Sequence, residues 1–234
     1  MRLGIMQPYF LPYIGYFQLL EYCDKFVLYD DIEYTKRGWI NRNRILASGQ
    51  PRTITLPLRR ASDFADVRDR EIAPEFSASK LLALLRQSYG KAPFWADHQQ
   101  LLKEVLEFPS RNLFNFVANS ISALAACLGI KTELIISSSL GIDRSLRGEE
   151  RVLATCAAIG ATDYVNPIGG LDLYHDSAFM ERGLRLSFLR SRLTPYAQFS
   201  FSYVEALSVV DTMMFVEPLD LRSRVQSDYE IITR

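Results

Sequence analysis

The opening of the chain limits its fold more than any other stretch. Residues 3–6 are a short apolar run stopped by Gln7-Pro8, as in a buried strand that ends at a proline. Ile14, Phe17, Leu19 and Leu20 then fall at helical spacing within residues 13–22, and residues 25–29 form a second β-rich run closed by the acid pair Asp30-Asp31. Strand, helix and strand at this spacing make a βαβ unit, which demands a parallel strand pair with helices on its faces. The expectation is therefore an α/β protein with a parallel-sheet, Rossmann-like core.

Downstream patterns extend this frame. Residues 52–58 read as a strand closed by proline, and residues 59–76 as a charged surface excursion. Helical periodicity over 79–88, 96–108 and 113–128 predicts an inserted helical layer at about residues 79–128, ended by Gly129. Strands are expected at 132–137, 163–167 and 184–189, and helices at 149–159 and 204–214. No repeat or low-complexity linker interrupts residues 1–234, so a single domain is expected.

Composition removes several function classes. The 27 Lys and Arg balance 27 Asp and Glu, so no global field gathers nucleic acid or anionic membranes. Two histidines, His98 and His175, and three scattered cysteines, Cys23, Cys127 and Cys156, argue against a zinc cluster and a disulfide framework. No run approaches the roughly 18 apolar residues of a membrane span, and the start lacks a signal-peptide core, so a soluble, cytoplasmic protein is expected.

Ligands of open α/β sheets bind beyond the carboxyl ends of the strands. Three such ends carry unusual residues: Gln7-Pro8-Tyr9, Asp30-Asp31, and Asn166-Pro167-Ile168-Gly169-Gly170 leading to Tyr174 and His175. Between the second and third, Lys36, Arg37, Arg42 and Arg44 surround Trp39, with Asn41 and Asn43 alternating beside them. Guanidinium groups bind phosphate bidentately and Trp stacks on flat rings, so this segment points to a small phosphorylated ligand, or else to a solvated strand with a half-buried Trp. The acid pair offers a general base or a hydroxyl acceptor, or a turn. Neighbouring strand residues face opposite ways, so at most one of the two enters a cleft. Gly169-Gly170 allows close backbone approach or a tight turn, and His175 is a candidate base or an exposed loop residue.

Longer runs resemble a known family. Residues 7–17, Asp24-Lys25-Phe26-Val27 with Asp30-Asp31, and Lys36-Arg37-Gly38-Trp39-Ile40-Asn41-Arg42-Asn43 are similar to the WbqC-like protein family, as are Gly148-Glu149-Glu150-Arg151, residues 160–164, Gly169-Gly170 and Leu207-Ser208-Val209-Val210-Asp211. The resemblance implies an aminoacyl or acyl (glycine-type) transferase acting on the amine of an amino sugar or nucleotide-linked sugar in bacterial lipopolysaccharide, or O-antigen, synthesis. In that setting Asp30 or Asp31 is the base, Gln7, Asn41 and Asn43 are donors to the developing oxyanion, and Lys36, Arg37 and Arg42 hold a diphosphate. Trp39 and Tyr9 stack on the ring, and Pro8, Tyr13, Gly15, Arg151, Asn166, Gly169, Gly170, Tyr174 and His175 complete the binding set. The implied partners are a nucleotide sugar and an acyl or aminoacyl donor, with no metal. The family often carries Asn-Gly after the Leu-Ser-x-x-Asp helix; here Phe215-Val216-Glu217-Pro218 stands there, so that helix end is expected to be reshaped.

Tyr13-Ile14-Gly15-Tyr16 also occupies the place where nucleotidylyltransferases and other HUP-like folds carry His-x-Gly-His. Tyrosine brings no positive charge to a phosphate, so ATP and magnesium enter only under an alternative, an ATP-using nucleotidylyltransferase or ligase. A third alternative is a non-catalytic protein that binds a nucleotide sugar or a glycosyltransferase.

Overall fold

The computed structural model describes residues 1–233. The chain runs through β1 (Arg2–Met6), α1 (Ile14–Tyr22) and β2 (Lys25–Leu28), then a hairpin of β3 (Arg42–Ala47) and β4 (Gln50–Thr55). Three helices follow, α2 (Ala78–Tyr89), α3 (Trp95–Leu106) and α4 (Leu113–Cys127). The second half holds β5 (Glu133–Ile136), α5 (Gly148–Ile159), β6 (Asp163–Pro167), α6 (Asp176–Met180), β7 (Arg185–Ser191), α7 (Val209–Phe215), α8 (Pro218–Ser227) and β8 (Tyr229–Thr233).

The βαβ start places β1 and β2 in parallel register, Leu3 opposite Lys25 and Met6 opposite Leu28. The central sheet runs β5-β2-β1-β6-β7-β8, parallel throughout except for β8, which pairs antiparallel with β7. Counted in chain order, the parallel strands lie third, second, first, fourth, fifth. The direction of travel across the sheet therefore reverses between β1 and β6, the topological switch point at which open α/β sheets form a crevice.

Alternation fixes which side chains cover each face. Leu3, Ile5 and Val27 pack with Val152, Leu153 and Cys156 of α5, whereas Phe26 and Leu28 join Phe17 and Leu20 of α1 in the larger cluster. With both faces covered, β1, β2, β6 and β7 are largely buried, as central parallel strands must be, while the edge strand β5 stays partly exposed.

Several elements depart from the expectations. Residues 59–76, expected as a surface excursion, bury Val67, Ile72 and Ala73, and α6 forms where no helix is expected. The helix expected over 204–214 starts at Val209, because Ser208 caps it through the amide of Val210 while Gln198 Oε1 holds the amide of Val204 in a loop. Phe215-Val216-Glu217-Pro218 becomes the break between α7 and α8, where Glu217 accepts from the amides of Leu219 and Asp220 and Pro218 opens the helix. Strand β8 carries no sequence alternation and shows itself only through its ladder with β7. Among the described residues no helix is long and apolar enough to cross a membrane.

Candidate functional site

Two adjoining cavities, of about 500 and 530 Å³, open beyond the carboxyl ends of β1, β2 and β6 and share Tyr29, Ile32, Glu33 and Tyr174. The first lies at the switch point, walled by Gln7, Tyr9, Asn166, Pro167, Gly169 and Gly170. The second lies under the start of α5, walled by Asp31, Asp66, Arg144, Arg147, Gly148 and Arg151.

In the first cavity the carboxamides of Gln7 and Asn166 have no hydrogen-bond partner among the described residues, although Asn166 is 6% exposed. Tyr16 Oη donates to the Gln7 carbonyl at 3.1 Å and fixes the loop from the backbone, leaving the side chain uncommitted. Gly170 makes room for Asn166: a Cβ there would stand 1.9 Å from Asn166 Nδ2. Burial raises the Tyr9 phenol, and it pushes that of Tyr29 to about 12 even with Arg151 pulling it down, so both rings stay neutral around pH 7. Tyr174 and Tyr164 hydroxyls stand 3.1 Å apart.

The second cavity carries both signs of charge. Arg151 Nη2 meets Asp31 Oδ2 at 2.5 Å, with the two side chains 7% and 4% exposed, and the guanidinium lies 5.4 Å from the centre of the Tyr29 ring. Burial raises the Asp31 carboxyl, but the Ser137 hydroxyl and Arg151 outweigh it and hold the group below its ordinary value. Arg144 pairs with Asp66, whereas among the described residues Arg147 reaches only the carbonyls of Arg144 and Leu146. Arg151 Nε is buried without a partner. Helix α5 begins here with no side-chain cap, so its first amides are open toward the same space. Glu33, exposed at the junction of the two cavities, has neither ion pair nor side-chain hydrogen bond among the described residues.

The acid pair divides. Asp30 turns under β5, accepting from the Ser138 amide at 2.9 Å and the Ser138 hydroxyl at 2.6 Å, and it reaches neither cavity. Ser137 Oγ stands within hydrogen-bond reach of both carboxylates, and its single proton serves one of them at a time.

The basic segment lies elsewhere and is largely self-satisfied. Arg42 donates to the carbonyls of Gly38 and Arg37, Lys36 pairs with the exposed Asp63 at 2.6 Å, and Arg42 and Arg44 sit beside Trp39. Asn41 donates to the Leu56 carbonyl and accepts from Tyr34. Asn43 Nδ2 donates to the carbonyls of Phe10 and Leu11, at 3.0 and 2.7 Å, and so ties the hairpin to the loop that carries Pro8 and Tyr9. Pro8 is buried in that loop. The Tyr13 ring covers Gly15, where a Cβ would stand 2.4 Å from it, so this glycine accommodates a tyrosine rather than opening the start of α1 to a phosphate. His175 is exposed outside both cavities, its Nδ1 3.4 Å from Glu149. Sequence reasoning passed over Glu33, Asp66, Arg144 and Arg147; only the clustering of Glu33 with Asp30-Asp31 gave a signal. Among the described residues no group of His, Cys, Asp and Glu is arranged to hold a metal ion.

The profile of the WbqC-like protein family matches residues 7–223, a span that holds every polar residue of both cavities. The chain belongs to that family. A further WbqC-like relative, the uncharacterized protein Rv1507c of Mycobacterium tuberculosis, is 29% identical over 218 residues, covering 92% of this chain and 94% of that protein. No solved structure matches this WbqC-like chain.

Proposed function

We propose that the chain is a transferase that passes an acyl or aminoacyl group to the amine of a nucleotide-linked amino sugar, in the cytoplasmic synthesis of a surface polysaccharide such as O-antigen. The observation that carries this reading is the pair of uncommitted carboxamides, Gln7 and Asn166, facing a switch-point cavity that also holds the unpaired Glu33. The amine attacks the donor carbonyl carbon, the new C–N bond forms, and the bond to the donor's leaving group breaks. Gln7 and Asn166 donate to the oxygen on which charge develops, and Glu33 takes the proton from nitrogen. Asp31 is a poor base here, because its ion pair with Arg151 weakens its hold on a proton. Its role is to fix Arg151, which with Arg147 and the amides of α5 receives the diphosphate. Tyr9 and Tyr174 flank the sugar.

The test is a mass-spectrometric search for acylated product, using free-amine nucleotide sugars with acyl and aminoacyl thioesters as donors. Asn166→Ala and Glu33→Gln are expected to slow product formation by about 10²- to 10³-fold. Sugar binding without product would favour a non-catalytic nucleotide-sugar or glycosyltransferase-binding protein.

A second reading, an ATP-using nucleotidylyltransferase or ligase with a HUP-like core and an inserted helical layer, is favoured by the strand order alone. Calorimetry with ATP and Mg²⁺ separates it from the first, which needs no ATP.

A further inference from the structure

A third cavity, of about 600 Å³, lies away from the switch point, between the β3–β4 hairpin, the C-terminal half of α2 and the loop around Phe199. Of the five cavities described, it is the one lined by cations with no carboxylate: Arg52, Arg86 and Lys91 have no ion pair or side-chain hydrogen bond among the described residues. In a chain of zero net charge, where Arg144 and Arg151 are matched by acids, three unmatched cations facing one groove stand out. Two half-exposed aromatic rings, Phe199 and Phe201, nearly perpendicular to each other, line the same groove, with Phe201 against Gly49 of the hairpin.

The groove is built at a cost to the backbone. Phe199 holds φ of +53°, a region that a bulky aromatic residue rarely enters, while the positive φ of Ser48 on the other side is the ordinary geometry of the two-residue hairpin turn. Behind the groove, Asp211 is fully buried and latches its walls together. It accepts from Tyr89 at the end of α2 (2.9 Å), from Tyr196 (2.7 Å) and from Gln198, the residue before Phe199 (2.6 Å). Tyr89 Oη in turn accepts from the Leu46 amide of β3 at 2.8 Å. Every wall thus leads to one carboxylate.

From these features we infer that the groove is a second ligand site, one that takes a nucleoside phosphate, with the phosphates on Arg52, Arg86 and Lys91 and the planar base stacked on Phe201 with the Phe199 ring at its edge. The inference does not depend on acyl transfer at the switch point. It is tested on the full chain by protection of Lys91 from acetic anhydride, read by mass spectrometry, with uridine and adenosine 5′-diphosphate, uridine and inorganic pyrophosphate as probes. One or both nucleoside diphosphates should protect Lys91, and R52A/R86A should raise the concentration for half protection about 10- to 100-fold. Phe201→Ala should abolish the advantage of the nucleotide over pyrophosphate. In Arg147→Ala, altered only in the switch-point cleft, protection should be unchanged. Unaltered Lys91 labelling with every probe, equal protection by pyrophosphate in the wild type, or loss of protection in Arg147→Ala would each overturn the assignment.

Discussion

Asp31 and Asp211 are both buried carboxylates, one walling the cavity under α5 and one latching the hairpin groove, and they are held in opposite ways. Asp31 faces a guanidinium, whereas Asp211 accepts from two tyrosine hydroxyls and an amide and meets no cation. Burial raises both carboxyls. At Asp31 the Ser137 hydroxyl and Arg151 overcome it, while at Asp211 the donations from Tyr196, Gln198 and Tyr89 do not, and the group stays above its ordinary value. The deeper burial of Asp211 outweighs three neutral donors, whereas at Asp31 one hydroxyl and one counter-charge suffice.

The sharpest way to break this contrast is to remove the counter-charge. Arg151→Ala should destabilise the fold by about 3 kcal/mol in urea unfolding, since buried Asp31 keeps the Ser137 hydroxyl but loses its counter-charge. A loss near zero would mean that Asp31 is solvated and the contrast void. Asp211→Ala should cost about 3 kcal/mol by stranding its donors, with Asp211→Asn recovering much of that loss.

The pH dependence separates the two acids by sign. Asp31, with its folded value depressed, gives stability that is complete above the unfolded carboxyl value of about 3.9 and is lost as pH falls through its lower folded value. Asp211, with its folded value raised, favours the protonated fold, so its contribution declines as pH rises from about 3.9 through its higher folded value. Unfolding free energies of Asp31→Asn and Asp211→Asn from pH 2 to pH 8, each subtracted from wild type, should therefore show Asp31's contribution rising with pH below about 3.9 and flat above, and that of Asp211 falling with pH above about 3.9. Parallel slopes would refute the account.

Gly170→Ala should cost only about 1 kcal/mol, because the intruding Cβ meets the end of the Asn166 side chain, which can swing aside. Product formation should fall further than stability, since the displaced carboxamide leaves the cavity. Smallest of all, Lys36→Ala should leave the urea midpoint unchanged, its pair with Asp63 lying in open solvent.

What the sequence disclosed follows from these arrangements. Gln7, Asp31, Asn166 and Gly170 were accessible to sequence reasoning because each closes a strand or follows one closely, and parallel strands in one sheet deliver their carboxyl ends to the same rim. Residues 36–44 could not be placed from sequence because charge density carries no direction: Arg42 folds back onto its own turn, which no spacing rule foretells. Arg144 and Arg147 sit in a loop without periodicity, and Arg52, Arg86 and Lys91 come together only because the hairpin packs beside α2.

Asn43, a residue of neither cleft, carries a consequence for both. One carboxamide on β3 grips the carbonyls of Phe10 and Leu11, with Leu11 held at φ +45°, so the strand that walls the groove also braces the loop presenting Tyr9 at the switch point. The hairpin and the switch-point loop therefore share one anchoring amide. Whatever free energy occupancy of one cleft transmits through that amide must be returned by occupancy of the other in equal measure, since thermodynamic linkage runs both ways.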